Sequence, residues 1–483
     1  MSNWPSMGHG SHHGAMRSAL FLILLAVSAG LAACGPDEVG SAHDAPLPGV
    51  TPGDEEWFWR DVLAAPFPGE ADVDGAALGH AEPVARTDAL DTLALDEDPR
   101  APATLMAALR DQQIGVAAVA AHDLGVHGHA RAIPRLLAGI GPYPIDYDVP
   151  IEVRAAEAAA LAQLGNPAGV PLILSILSEG TSLASDEADL QWTFTPRMAF
   201  TQELALPGLE ALAGTDFGFM PTAPVPVREE SLRAARAWWE ERRIALWEAA
   251  PVDDPGLVAR AELLVATLDA YQLRQVDGAR YVLAQLGPGV LPFLIDGLDS
   301  DNDYVRLHSL EVMQRLVANV DRKARDRIAS AATGPLLEDM GGGVAAKAAD
   351  VIGACGSADA LIIALERRAE PDVLVAVIDA LGTTRLPAAS EALAGWEPAG
   401  PLAGMPDVRV ARHAALLALD PAADPEPFLA LLGSDDASLA FAALDRLIVL
   451  TGSDCGYDPS ATGNERELGL AAARRALAER ASG

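Results

Sequence analysis

The sequence predicts an all-α fold, an α-solenoid of stacked helix pairs wound as a right-handed superhelix. Three observations lead there. Half of the 483 residues are apolar but only 5% are aromatic. Ala and Leu dominate, and these side chains lose little entropy in a helix. Apolar residues also recur at helical spacing: Leu307, Leu310, Met313, Leu316, Val317 and Val320 fall on one stripe. Finally, Gly and Pro punctuate the chain at repeated places. Leu161-Ala-Gln-Leu-Gly165 leads into Val170-Pro171, and Leu283-Ala-Gln-Leu-Gly287 leads into Val290 and Pro292. Asp123 to Leu137 is a third copy, and Val351 to Ile363 a fourth that lacks the Pro. Gly suits a left-handed helix C-cap and Pro the first helical turn, so each copy reads as helix, turn, helix.

In chain order, residues 1–33 come first. Arg17 precedes an apolar run from Ala19 to Val27, too short to span a bilayer and followed by small residues, the pattern of an export signal. The run closes on Leu31-Ala32-Ala33-Cys34-Gly35. This resembles the lipobox of bacterial lipoproteins. The resemblance implies that Cys34 receives a diacylglyceryl group, becomes the first mature residue and anchors an exported chain to a membrane. In that family Asp after the Cys favours inner-membrane retention; Gly35 stands there instead, which implies an outer-membrane location, periplasmic or surface-facing. Residues 34–97 are acidic and rich in Pro and Gly, and read as a flexible tether. Within them Glu55 to Ala65 is a candidate short helix whose Trp57, Phe58 and Trp59 would cap the first repeat.

The repeats occupy two stretches, 98–250 with an insertion and a joining element, and 251–483 with a terminal cap. Together they should hold roughly ten to twelve helix pairs. The pattern is weakest at 180–250 and 390–406. First helices open with an acid and an Arg: Glu152 with Arg154, Asp303 with Arg306, Asp407 with Arg409. With the Gly/Pro punctuation, this set resembles HEAT repeats, in particular the short type of phycobilisome lyases. The resemblance implies that these six residues form a structural ladder between successive repeats. A longer duplication joins Thr215-Asp216-Phe217-Gly218-Phe219 to Ser453-Asp454-Cys455-Gly456-Tyr457, each followed by an Arg/Ala helix. It reads as a capping or joining element.

The chain carries 34 basic against 68 acidic residues, a net charge of −34. Such a surface repels phosphate backbones, so nucleic acid is excluded as a partner. It also offers no polybasic attraction to anionic lipid, which leaves the anchor at Cys34 as the membrane contact. Cys355 and Cys455 lie one hundred positions apart in an array whose units touch only neighbours, and are expected unpaired. His122, Asp123, His127 and His129 are the densest set of candidate metal ligands, but Gly125 and Gly128 make the segment a repeat turn. Asp299 to Asp303 imitates the start of a calcium loop, but Tyr304 occupies the place of its glycine. Some HEAT-type arrays are iron-dependent hydroxylases with paired His-Glu dipeptides; this chain has no such dipeptide. No cofactor is expected. The reading that results is a non-enzymatic scaffold binding a protein or peptide partner, favoured to be basic, along its second helices near Ile133, Val170, Val290 and Leu361. The alternative is an exported enzyme or metal protein using the His122–His129 turn or the two Asp-Gly-aromatic loops.

Overall fold

The computed structural model describes residues 73–96, 98–141, 149–181, 196–269 and 273–482. The readings for Cys34, the export signal and the Trp57–Trp59 segment lie outside them. The described residues contain 22 α-helices and no strand. They divide into two compact units, at Glu241 and Arg242.

The N-terminal unit comprises α1 (Gly75–Leu78), α2 (Pro83–Leu95), α3 (Ala101–Ala108), α4 (Ile114–Val126), α5 (Ile133–Ile140), α6 (Ile151–Gln163), α7 (Val170–Ser178), α8 (Pro196–Ala213) and the start of α9 (Val225–Ala249). Helices α2, α4, α6 and α8 stack in sequence as one row, and α3, α5 and α7 pack beside them as a second. This is the packing of a helical-repeat solenoid. The repeats thus begin before residue 98: α2 is the first member of the row, with Leu90 fully buried. The Pro-rich 67–96 stretch reads as irregular, yet Pro83 sits in the first turn of α2, where its missing N–H costs nothing. The weakly patterned 180–250 region likewise supplies a regular row member, α8, which carries Pro207 in its interior.

The C-terminal unit continues with α10 (Pro255–Thr267), α11 (Leu273–Gln285), α12 (Leu291–Gly297), α13 (Asp303–Leu316), α14 (Arg322–Glu338), α15 (Gly342–Ala354), α16 (Asp359–Arg367), α17 (Pro371–Thr384), α18 (Pro387–Gly395), α19 (Pro406–Leu419), α20 (Glu426–Leu432), α21 (Ala437–Thr451) and α22 (Asn464–Ser482). Here the first row is α11, α13, α15, α17, α19 and α21.

The turn between paired helices has a repeated physical basis. Gly128, Gly165 and Gly356 hold φ of 75°, 79° and 72°, the left-handed region that glycine enters without penalty. In each case the glycine amide bonds the carbonyl three residues back, and the next amide bonds the carbonyl five back. Those two bonds satisfy helix carbonyls that would otherwise be orphaned. Three residues before this cap the chain also needs a small side chain. A Cβ on Gly125, Gly353 or Gly382 would lie 2.8, 2.9 and 3.1 Å from Ala160, Ala380 and Ala415 Cα, on the next first-row helix. At Gly382 the cap residue is Arg385, left-handed at φ 56°.

Candidate functional site

Arginines near helix starts are the most regular polar feature, and they act chiefly on backbone carbonyls. Arg154 donates to Ile140 O at 3.1 Å and Gly141 O at 3.3 Å. Arg412 donates to Leu393 O and Ala394 O at 3.0 and 3.1 Å. Arg306 reaches Ser300 O at 2.6 Å, and Arg228 reaches Gly180 O at 2.9 Å. Each guanidinium closes off the end of the preceding second-row segment, where free carbonyls and the helix dipole favour a cation.

The six residues proposed for an inter-repeat ladder therefore separate. Arg306 does link repeats, bonding Asp339 Oδ2 at 2.7 Å ahead of α15, and it pairs with Asp303 one turn away at 2.6 Å. Arg86 does the same with Asp111 ahead of α4, at 2.7 and 2.8 Å. Glu152 is buried and pairs with Arg197 on α8 rather than with Arg154. Among the described residues Asp407 and Arg409 make no ion pair, and Arg412, one turn later, holds the carbonyls instead. The partner of the recurring Arg is mostly backbone, so the sequence pattern of alternating charge does not reveal it.

A second ladder, missed in the sequence, runs along the first row of the C-terminal unit. Arg280 on α11 pairs with Asp277 and with Glu311 on α13. His308 Nδ1 lies 2.8 Å from Glu311 Oε2. Burial opposes the charge on Glu311, but hydrogen bonds from His308 and Arg280 prevail and hold its pKa down to about 2. Lys347 on α15 bonds Gln314 on α13 at 3.4 Å and Asp350 at 3.1 Å. Arg446 on α21 then pairs with Asp379 on α17 at 2.6 Å, passing over α19. The i, i+3 pairs Asp277/Arg280 and Lys347/Asp350 were the available sequence signal.

His127 and His129 face each other with ring centroids 6.3 Å apart, but among the described residues no group of three or more His, Cys, Asp or Glu side chains is placed to hold a metal ion. The sharp turn at Gly128 brings two rings together and leaves His122 and Asp123 as part of α4. Burial pushes the His129 pKa down, with His127 adding to it. The Asp-rich segment before α13 serves as a cap: Asn302 accepts from the Tyr304 amide at 2.8 Å. Cys355 and Cys455 are free thiols, and burial raises Cys355 to about 11, far from a thiolate nucleophile.

The duplicated loops match bond for bond. Asp216 and Asp454 each accept from the amide two residues on, Gly218 and Gly456, at 2.9 Å. Phe217 and Cys455 amides each bond the preceding hydroxyl at 3.0 Å. Both residues are left-handed, at φ 57° and 55°. The aromatic that follows is buried in both, Phe219 and Tyr457 at 3% exposure. Oδ1 of each carboxylate accepts within its own turn.

One groove open to a ligand lies in the second row. Between α14 and α16 a groove of 340 Å³ is floored by Ala329, Ala360 and Ile363, with Ser330, Thr333 and Ser357 along it. Asp326 and Asp359 stand exposed at its rim.

No protein-family model matches the chain, and no curated protein does. Solved structures that it is similar to include human deoxyhypusine hydroxylase in complex with glycerol, 20% identical over 68% of this chain and 96% of that one, at a TM-score of 0.21. Another is karyopherin Kap121p bound to the extreme C-terminus of the protein phosphatase Cdc14p, 12% identical over 84% and 46%, at 0.31. The complex of CpcE and CpcF of phycocyanin lyase from Nostoc sp. PCC7120 is 16% identical over 65% and 93%, at 0.17. At these scores the likenesses assign neither activity nor partner to this chain.

Proposed function

We propose that this chain is an exported, lipid-anchored scaffold that holds a protein or peptide partner along its second-row helices. The observation that carries the binding half is the groove between α14 and α16, an apolar floor between two exposed carboxylates on a chain of net charge −34. Such a site suits an extended basic segment: its aliphatic stems cover the floor while its cations meet Asp326 and Asp359, and long-range charge speeds the encounter. The anchoring half rests on Leu31 to Gly35.

Fluorescence anisotropy with an Arg/Ala peptide tests the groove. Affinity should fall as salt rises, because exposed charges are screened within about 8 Å at physiological ionic strength. The double variant Asp326→Asn, Asp359→Asn should bind several-fold more weakly. Equal affinity in the variant would refute the groove. Palmitate labelling of the whole protein tests the anchor, and label surviving in Cys34→Ala would refute it.

A further inference from the structure

Val449 is 78% exposed although its register calls for burial. It stands three residues before the left-handed cap Gly452, the place that Gly125, Gly353 and Gly382 hold before theirs. Those three glycines each lie against the next first-row helix. No first-row helix follows α21 among the described residues. Its open face carries Phe441 and Ile448, seven residues apart and 53% and 42% exposed, with Val449 alongside. The positions equivalent to Phe441 and Ile448 in α15 are Ala345 and Ile352, and both are fully buried. Asp445 lies on the same face and is exposed. Asp435, Asp436 and Asp454 flank it, also exposed; Asp435 is paired with Arg466, and Asp436 and Asp454 each accept one amide through Oδ1. The basic residue of α21, Arg446, is already engaged with Asp379.

We propose that the open face of α21 is a docking surface for a basic amphipathic α-helix of a partner protein. Continuity of the row determines the shape of the occupant. Every earlier first-row helix of this unit is covered by another helix lying along it, and the residues left bare here recur at helix-contact spacing. Charge determines its chemistry. A second copy placed face to face would bring Asp445 and its flanking carboxylates against their own kind, whereas Lys or Arg beside an apolar stripe would meet them. This surface is separate from the α14–α16 groove, and either can fail without the other.

The test uses the whole detergent-extracted protein and an 18-residue helical peptide of Leu and Lys, with a Leu and Glu peptide of the same pattern as control. A photocrosslinking residue at position 441 reports contact at the face itself. The Lys peptide should crosslink there and the Glu peptide should not. The variant Phe441→Ser, Ile448→Ser should weaken Lys-peptide binding about tenfold. Both serines replace exposed side chains, and an unaltered thermal transition confirms the fold. Crosslinking by both peptides alike, or undiminished affinity in the serine variant, would overturn the proposal. So would a dimer by light scattering that the serine variant abolishes, since a second copy would then be the occupant.

Discussion

The elements that close the two units, Gly214 to Trp239 and Gly452 to Leu477, are the same device on differently finished rows. Loop bonds, backbone signs and the buried aromatic coincide, and the register holds into the following helix: Arg228 and Arg466 both stand twelve residues after the turn Asp, and both reach back to a second-row carbonyl. The difference lies in the first-row helix before each cap. Counted back from the cap glycine, α8 offers Glu203, Glu210 and Ala211 where α21 offers Phe441, Ile448 and Val449. An end-of-row face can be made tolerant of water by acids, as in α8, or left apolar, as in α21. Only the second needs a cover. The caps themselves therefore seal the second row and leave each first row to its own surface chemistry.

The largest expected effect tests whether the caps are equivalent. Phe219→Ala and Tyr457→Ala each empty a buried aromatic site and should each cost about 3–5 kcal/mol in urea unfolding. A loss confined to one of them would break the equivalence. Tyr457→Phe sharpens it further, since the Tyr457 hydroxyl donates to Leu432 O and Phe219 has no such bond; that change should cost about 1 kcal/mol.

Next in size is the pair of arginines. Arg228 is buried, and Arg228→Ala leaves Gly180 O, just after α7, without this donor, at about 1.5–3 kcal/mol. Arg466→Ala should lower the unfolding midpoint less, because its outer partner Asp435 is fully exposed. The reverse order would mean that the two caps carry load differently.

The register of the open face gives a contrast of the same kind. Gly353→Ala forces a Cβ against Ala380 and should cost about 1–3 kcal/mol. Val449→Ala, at the same register with nothing over it, should stay within about 0.5 kcal/mol of wild type. A large loss at Val449 would show that the isolated chain already covers this face.

The smallest effect is electrostatic. Glu311 has a folded pKa held near 2 against an ordinary value of 4.5. A depressed carboxylate contributes stability that is complete above its unfolded pKa and disappears as pH falls from about 4.5 towards 2. Glu311→Gln should flatten the pH dependence of unfolding in that window and leave the slope above pH 6 alone. An unchanged acid limb would show that the α11–α13 pairing carries no net stability.

The helical-repeat plan was legible because it is written in backbone chemistry. Gly165 and Gly356 are readable as caps since few other residues enter the left-handed region, and Pro171 marks a helix start since it fits few other places. The stretch before residue 98 was illegible for a related reason: Pro83, in the first turn of α2, resembles a loop residue when the apolar stripe beside it is short. Charge partners were least legible. Arg154 and Arg412 bond main-chain oxygens that no residue type announces, and the Asp379–Arg446 pair joins positions sixty-seven apart, beyond any spacing rule. The groove between α14 and α16 was legible only as a location, the second-row helix near Leu361. Its acidic rim arises from two residues on separate helices.

The Arg446–Asp379 pair also bears on how the end of the chain comes apart. In a stack where each helix holds only its neighbours, loss of structure peels one repeat at a time and the free energies of opening form a staircase. A bond that skips α19 ties α17 and α21 together around it. The last repeats are then expected to open together. Their slowest amide protons should exchange at a common rate, and Arg446→Ala should split that rate into separate steps.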